Sequence, residues 1–359
     1  MQQLTAHRDT IRNLTNVDET RVIEQLREKF EPGAALRSRS NAQARKLVEK
    51  IRSEGQPGLM EVFLAEYGLS THEGVALMCL AEALLRVPDT PTIDELIEDK
   101  VSPSSWGEHL GGSSSPLVNA STWALMLSGK VLKEPNASGV VDLLRGAVKR
   151  LGEPVIRLAI QRAIKEMGHQ FVLGQTIDEA VRRGKAFEKQ GYTYSYDMLG
   201  EAALTSKDAT GFFHAYCDAI RSLSQNANSD NIAGNPGISI KLSALHPRYE
   251  LGQKTRVMEE LVPRVRELAI LAKSAQMGLN IDAEEADRLD LSLDVIEAVF
   301  RSKDLAGWDG FGVVVQAYGK RASAVIDWLY AISSELDRKI MVRLVKGAYW
   351  DTEIKLAQI

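Results

Sequence analysis

After residue 168, short runs rich in β-branched and aromatic residues alternate with longer segments whose apolar residues recur every three to four positions. No other feature restricts the possible folds of this chain as strongly. Six runs read as strands, at residues 170–174, 192–197, 238–242, 279–282, 311–316 and 340–345, and helical patterns lie between them at 176–190, 254–275, 292–301 and 322–336. Repeated strand–helix units place the strands parallel. Such units build either an open doubly wound sheet or a closed eight-stranded barrel.

The strand ends choose between the two. A doubly wound sheet gathers its chemistry at one crevice, whereas in a barrel every strand can deliver a residue to the same C-terminal mouth. Here almost every run closes on a polar residue: Asp197, Lys241, Asp282, Gln316, then Arg343 with Lys346. The expected fold class is therefore α/β, a TIM-like (βα)8 barrel cut short after about six strands. Residues 151–359 form its N-terminal part. Since Ile359 falls a few residues into the helix after the sixth run, the chain is expected to be a fragment of a longer protein.

The region ahead of the barrel differs in kind. Val22, Ile23, Leu26 and Phe30, and then Ala44, Leu47, Val48 and Ile51, keep helical spacing. Gly55 and capping boxes at 70–73 and 92–95 mark helix ends. Residues 1–101 are expected to form an all-helical arm and domain that packs, docks or oligomerises rather than performs chemistry. Residues 102–116 turn to Ser, Pro and Gly and read as a linker, with helices at 123–132 and 140–150 completing a 102–150 connection into the barrel.

Charge argues against nucleic acid as a partner: 44 Lys and Arg stand against 48 Asp and Glu, a net charge of -4, with no basic block. Cys79 and Cys217 lie far apart in apolar surroundings, which suits buried free thiols in a reducing compartment. The N-terminus carries charge where a signal peptide would be apolar, and the most apolar stretch, 74–87, is short and contains Glu82. The expected location is the cytoplasm, with peripheral membrane association left open.

Lys241 is the first candidate for chemistry, because a lysine in an apolar strand must desolvate its ammonium unless an anion compensates. The bland alternative is a structural ion pair. Asp282, at the equivalent place on the next run, is the natural counter-charge, or else a helix N-cap. Around Arg343, Lys346, Gly347, Tyr349 and Trp350, basic groups adjoin aromatic rings and a glycine that admits a flat ligand, against a default of core packing for the aromatics. Gln316 adds an amide able to donate to and accept from a heterocycle edge. The histidines and cysteines lack metal-ligand spacing, so no metal is expected, and there is no P-loop, Gly-x-Ser-x-Gly elbow or Gly-x-Gly-x-x-Gly turn.

These strand ends, in this order, resemble the proline dehydrogenase domain of the bacterial bifunctional proline-utilisation flavoenzymes. The resemblance rests on YSYDMLGEAA (194–203), KLSALHPRY (241–249), NIDAEEADRL (280–289), VVQAY (314–318) and VRLVKGAYWD (342–351). It covers essentially the whole chain. It implies a distorted (βα)8 barrel that binds FAD at its mouth and oxidises L-proline to Δ1-pyrroline-5-carboxylate, passing electrons to a quinone at the membrane surface. A homo-oligomer is expected.

By the same resemblance, Lys241 helps hold the proline carboxylate and Asp282 lies close to flavin and substrate. Gln316 and Arg343 hydrogen-bond the flavin ring, while Lys346, Gly347, Ala348 and Trp350 form the surrounding cofactor loop. Tyr349 lines the proline pocket, and Glu201 pairs with a substrate-binding arginine beyond this chain; Asp197 is carried over beside them. Residues 1–16 do not match the ribbon–helix–helix of some members, so no DNA-repressor role is expected. An NAD-dependent aldehyde dehydrogenase half would lie beyond Ile359. The competing enzyme class is a Schiff-base aldolase with Lys241 as nucleophile and Asp282 as proton shuttle.

Overall fold

The structure is a computed structural model that describes residues 2–54, Thr92 and 172–359. The expected segments at 74–87, 102–116, 123–132 and 140–150, the capping box at 70–73, the rest of that at 92–95, and Cys79 lie outside those residues. The chain divides into two compact units, Met1–Glu31 with Gly184–Ile359, and Pro32–Arg183. Among the described residues no helix is long and apolar enough to cross a membrane.

Among the described residues five strands form one parallel sheet: β1 (Ser195–Asp197), β2 (Gly237–Ile240), β3 (Leu279–Ile281), β4 (Phe311–Gln316) and β5 (Met341–Val345). Their order in the sheet is their order in the chain, β1-β2-β3-β4-β5. A doubly wound sheet reverses direction at a switch point, and this one runs on without reversal, as a barrel requires. The sheet also curls, because Arg343 of β5 reaches the Ser195 hydroxyl of β1.

Helices alternate with the strands. Numbered over the described residues, they are α1 (Gln2–Asn13), α2 (Glu19–Phe30), α3 (Ala34–Glu54), α4 (Ile177–Glu188), α5 (Ser206–Ser224), α6 (Leu242–Leu245), α7 (Lys254–Ser274), α8 (Leu289–Phe300), α9 (Ala322–Leu336) and α10 (Trp350–Gln358). Ile238, Ile240, Leu279, Ile281, Phe311, Val313 and Val315 point outward from the sheet and are buried with Tyr216, Leu261, Leu268, Val299 and Trp328 of the helices. At about 1.5–3 kcal/mol for each large side chain taken from water, this layer holds the strand ends in place. The opposite face follows the register: Asp197 pairs with Ser239, Ser239 with Asn280, Asn280 with Gly312 and Gly312 with Met341, one layer across all five strands.

The structure departs from expectation in several places. Residues 172–174 carry no strand, because the chain there enters α4: Glu179 Oε2 accepts from the Gln175 amide at 3.0 Å and Thr176 Oγ1 from the Glu179 amide at 3.2 Å. Lys241 is not inside a strand. It follows β2 as the N-cap of α6, where Glu284 Oε1 accepts from the Ser243 amide at 3.0 Å and draws the chain into a helical turn. The helix α5 was not among those expected; its capping box uses Thr205 with Asp208 in place of the longer glutamate. The apolar stripes of α2 and α3 do lie on helices, but Ile23, Leu26, Phe30, Leu47, Val48 and Ile51 are exposed.

Helix α1 packs along α9, with Leu4 and Ile11 buried. Cys217, on α5, is a buried free thiol.

Candidate active site at the strand ends

Strand alternation aims the site. Ser195 and Asp197 share the inner face of β1, Ser239 lies on that of β2 with Lys241 just past the strand's end, and Arg343 lies between Met341 and Val345 on that of β5. At this rim Lys241 Nζ lies 3.0 and 3.1 Å from the two carboxylate oxygens of Asp197 and 3.2 Å from Asp282 Oδ2. Arg343 Nη1 stands 3.5 Å from Asp282 Oδ1 and donates to Ser239 Oγ at 3.0 Å, while Nη2 donates to Ser195 Oγ at 2.8 Å. Two cations and two carboxylates thus converge from four strands, Asp197, Lys241 and Asp282 from the ends of β1, β2 and β3 and Arg343 from within β5.

The cluster sets its own protonation. Burial pulls the Lys241 ammonium down, but hydrogen bonds and charge from Asp197 and Asp282 outweigh it, and its pKa lies above the ordinary lysine value. Asp282 goes up from the usual carboxylate range because burial and the charge of Asp197 exceed the pull of Lys241 and Arg343. The ammonium is therefore a fixed charge. A Schiff-base nucleophile must be a neutral amine, so this environment opposes the aldolase alternative. Neither does Asp282 cap a helix; its side chain turns to Lys241.

Gln316, at the end of β4, joins two neighbouring loops. Its Nε2 donates to the Glu284 carbonyl at 2.9 Å, and its Oε1 accepts from the Ala348 amide at 3.0 Å. Gly347 has φ +122°, and a side chain there would collide with the Tyr318 ring. Lys346, Ala348 and Trp350 are exposed around it. Tyr349 Oη donates to Glu201 Oε2 at 3.4 Å, and burial followed by the charge of Glu201 raises its phenol. The sequence-derived residues thus form a four-charge centre with a bridged loop and a carboxylate–phenol pair beside it.

Four contributors escaped the reading of residue types. Ser195 and Ser239 hold the Arg343 guanidinium, and each sits two positions before a charged strand end, so period-two alternation would have found them. Glu284 shapes both the turn at Ser243 and the contact to Gln316. Glu353 Oε1, on α10, accepts from the Ala286 amide at 2.9 Å and ties the loops after β3 and β5 together; nothing in its local sequence signals that reach.

An FAD fits the donor set. Arg343 is held by two neutral hydroxyls and a carboxylate at 3.5 Å, which leaves positive charge for an electron-accepting ring, and the positive-φ glycine keeps the adjoining loop free of side-chain bulk. The Gln316 amide retains a second N–H beyond the one given to Glu284. Among the described residues no cluster of three metal-ligand side chains occurs.

The sequence pattern of the proline dehydrogenase family matches residues 180–359. That described as the DNA-binding domain of proline dehydrogenase matches residues 59–171. The latter runs against the expectation of no nucleic-acid partner, which rested on charge balance and on residues 1–16. The bifunctional protein PutA of Klebsiella aerogenes is 48% identical over 338 residues, covering 94% of this chain and 26% of that protein. Its counterpart in Rhizobium meliloti is 49% identical over 341 residues, 95% of this chain and 28% of that one. The proline dehydrogenase of Deinococcus radiodurans is 27% identical over 216 residues, 58% of this chain and 61% of that protein. A crystal structure of Bradyrhizobium japonicum proline utilization A superposes with TM-score 0.66 and 45% identity, over 96% of this chain and 34% of that one. The chain thus spans about a quarter of the length of the bifunctional relatives it matches.

Proposed function

Because the chain belongs to the proline dehydrogenase family, we propose that it carries the proline-oxidising site of a bifunctional proline-utilisation protein. The reaction is the FAD-dependent oxidation of L-proline to Δ1-pyrroline-5-carboxylate. The hydrogen on the ring carbon beside the nitrogen departs with two electrons and the nitrogen gives up a proton, so the carbon–nitrogen single bond becomes double; the electrons pass onward to a quinone at the cytoplasmic face of the membrane. An NAD-dependent aldehyde dehydrogenase half belongs beyond Ile359. The observation that carries this reading is the convergence of Lys241, Asp197, Asp282 and Arg343 on one rim.

Lys241 binds the proline carboxylate as a permanent cation. Asp197 and Asp282 hold that ammonium in position and keep the site near neutrality, so that a zwitterion is admitted without an uncompensated buried charge. Orienting the amino acid by its carboxylate turns its ring toward the cofactor side of the mouth. There Arg343, Gln316, Lys346, Gly347, Ala348 and Trp350 would hold the flavin, Asp282 would serve both flavin and substrate, and Tyr349 with Glu201 would line the substrate side. The flavin, when bound, supplies the two-electron oxidation. Arg343 adds a charge that does not titrate.

The test is a visible spectrum of the full-length protein before and after proline. Loss of the flavin band together with formation of Δ1-pyrroline-5-carboxylate is expected. A flavin-free protein whose Lys241 is trapped onto a carbonyl substrate by borohydride would overturn the assignment.

A further inference from the structure

The segment after β3, from Asp282 into the first turn of α8 at Asp290, carries Asp282 and Glu284, and the N-terminal segment of the chain grips it from outside the barrel. Arg8, on α1, is only 5% exposed. Its Nη2 donates to the Asp290 carbonyl at 2.7 Å and to Asp290 Oδ1 at 2.6 Å, and lies 2.8 Å from Asp294 Oδ1. The same guanidinium lies over the Trp328 ring, 5.6 Å from its centroid. Arg12 Nε donates to Asp290 Oδ2 at 3.0 Å.

Beyond the helix the grip continues. Lys320 donates to the Val17 carbonyl at 3.0 Å, and Arg321 reaches both Thr15 Oγ1, at 3.5 Å, and the Ala286 carbonyl. The Ala286 amide is held in turn by Glu353. Arm and loop line a single cavity of about 580 Å³, with Arg12, Thr15 and Glu19 on one side and Asp282, Glu284 and Gln316 on the other.

An apolar residue at position 8 would dock a helix at lower cost, since a buried charge must recover its desolvation penalty. What two arginines on one aspartate supply is direction: they fix where Asp290 sits, and with it the start of α8 and the loop leading back to Asp282. We propose that α1 is a working part of the proline site, with Arg8 and Arg12 as positioning residues that act through Asp290 on the loop setting Asp282 against Lys241. This rests on the proline dehydrogenase reading above.

The test uses the full-length, flavin-loaded protein with rates expressed per bound flavin. Arg8→Met is expected to raise KM for proline about tenfold, the scale of a small displacement of a positioned group, with kcat within about twofold and flavin content unchanged. Arg8→Lys should recover part of the loss. Should Arg8→Met fail to fold, Arg12→Met carries the test, because its half-exposed side chain leaves the Arg8 contacts in place; there KM should rise roughly two- to threefold. An unmoved KM in the variant that folds, even with a lowered Tm, would reduce α1 to a structural prop and overturn the proposal. A wild-type flavin that proline fails to bleach would instead sink the parent reading, so the two failures are told apart.

Discussion

Arg343 on β5 donates to the Ser195 hydroxyl on β1 at 2.8 Å, so the first and last of five strands share one inner face. That reach places the guanidinium over the mouth with two neutral partners. Charge-assisted hydrogen bonds contribute about 1.5–3 kcal/mol each, so Arg343→Met is expected to weaken flavin affinity by roughly 10- to 100-fold in a fluorescence titration of refilled apoprotein. Arg343→Lys should recover little, since a single ammonium cannot replace a planar fork aimed at two hydroxyls and a ring. Unchanged affinity in both variants would remove Arg343 from the cofactor site.

Lys241→Met should separate substrate from cofactor. It leaves Asp197 without its cation and Asp282 with Arg343 alone, a loss of about 3 kcal/mol, near the lower end for a broken buried pair because Asp197 is half exposed. Proline affinity is expected to fall while the flavin spectrum stays. The Lys241 pKa is raised on folding, so its contribution is fully present below the ordinary lysine value of 10.5 and is lost as pH rises through the higher folded value. Wild type should therefore lose stability faster than Lys241→Met as pH rises above 10.5 in denaturant melts. Parallel curves would contradict the double pairing.

The chemistry of the rim was legible because strand ends are: polar residues closing apolar runs named Asp197, Lys241, Asp282 and Gln316, and the structure gathers them. Strand bounds were less so. Lys241 reads as strand from its neighbours, yet Glu284, distant in sequence, captures the Ser243 amide and bends the chain first. Residues 170–174 look β-rich, but Thr176 and Glu179 cap α4 and take the local backbone amides. Long-range partners such as Glu353 and Arg8 could not be read, since their roles exist only where distant loops meet.

Gly347→Ala tests the cofactor loop without touching charge. The residue sits at φ +122°, where a side chain costs about 1–3 kcal/mol, and the added methyl would run into the Tyr318 ring. Relief requires the loop to move, which pulls the Ala348 amide from Gln316 Oε1. The expected outcome is a protein with near-normal helical content but poor flavin retention on gel filtration. Full retention would show that the loop is not part of the flavin cradle.

Acid should release α1 before it unfolds the sheet. Burial pushes the Asp290 carboxyl up, but Arg8 and Arg12 outweigh it and its folded pKa lies below the ordinary 3.8. A depressed carboxylate stabilises above its unfolded value, and that contribution disappears as pH falls through the folded one. Asp294 is the other carboxylate facing Arg8, and it also lies 2.5 Å from the Lys254 ammonium. Hydrogen exchange along α1 should therefore accelerate below pH 3.8 while β2 and β3 remain protected. With one arginine fewer, Arg12→Met leaves Asp290 less depressed, so its release should begin at higher pH. If α1 and the sheet lose protection together in both proteins, the arginine–aspartate contact does not govern how the arm is held.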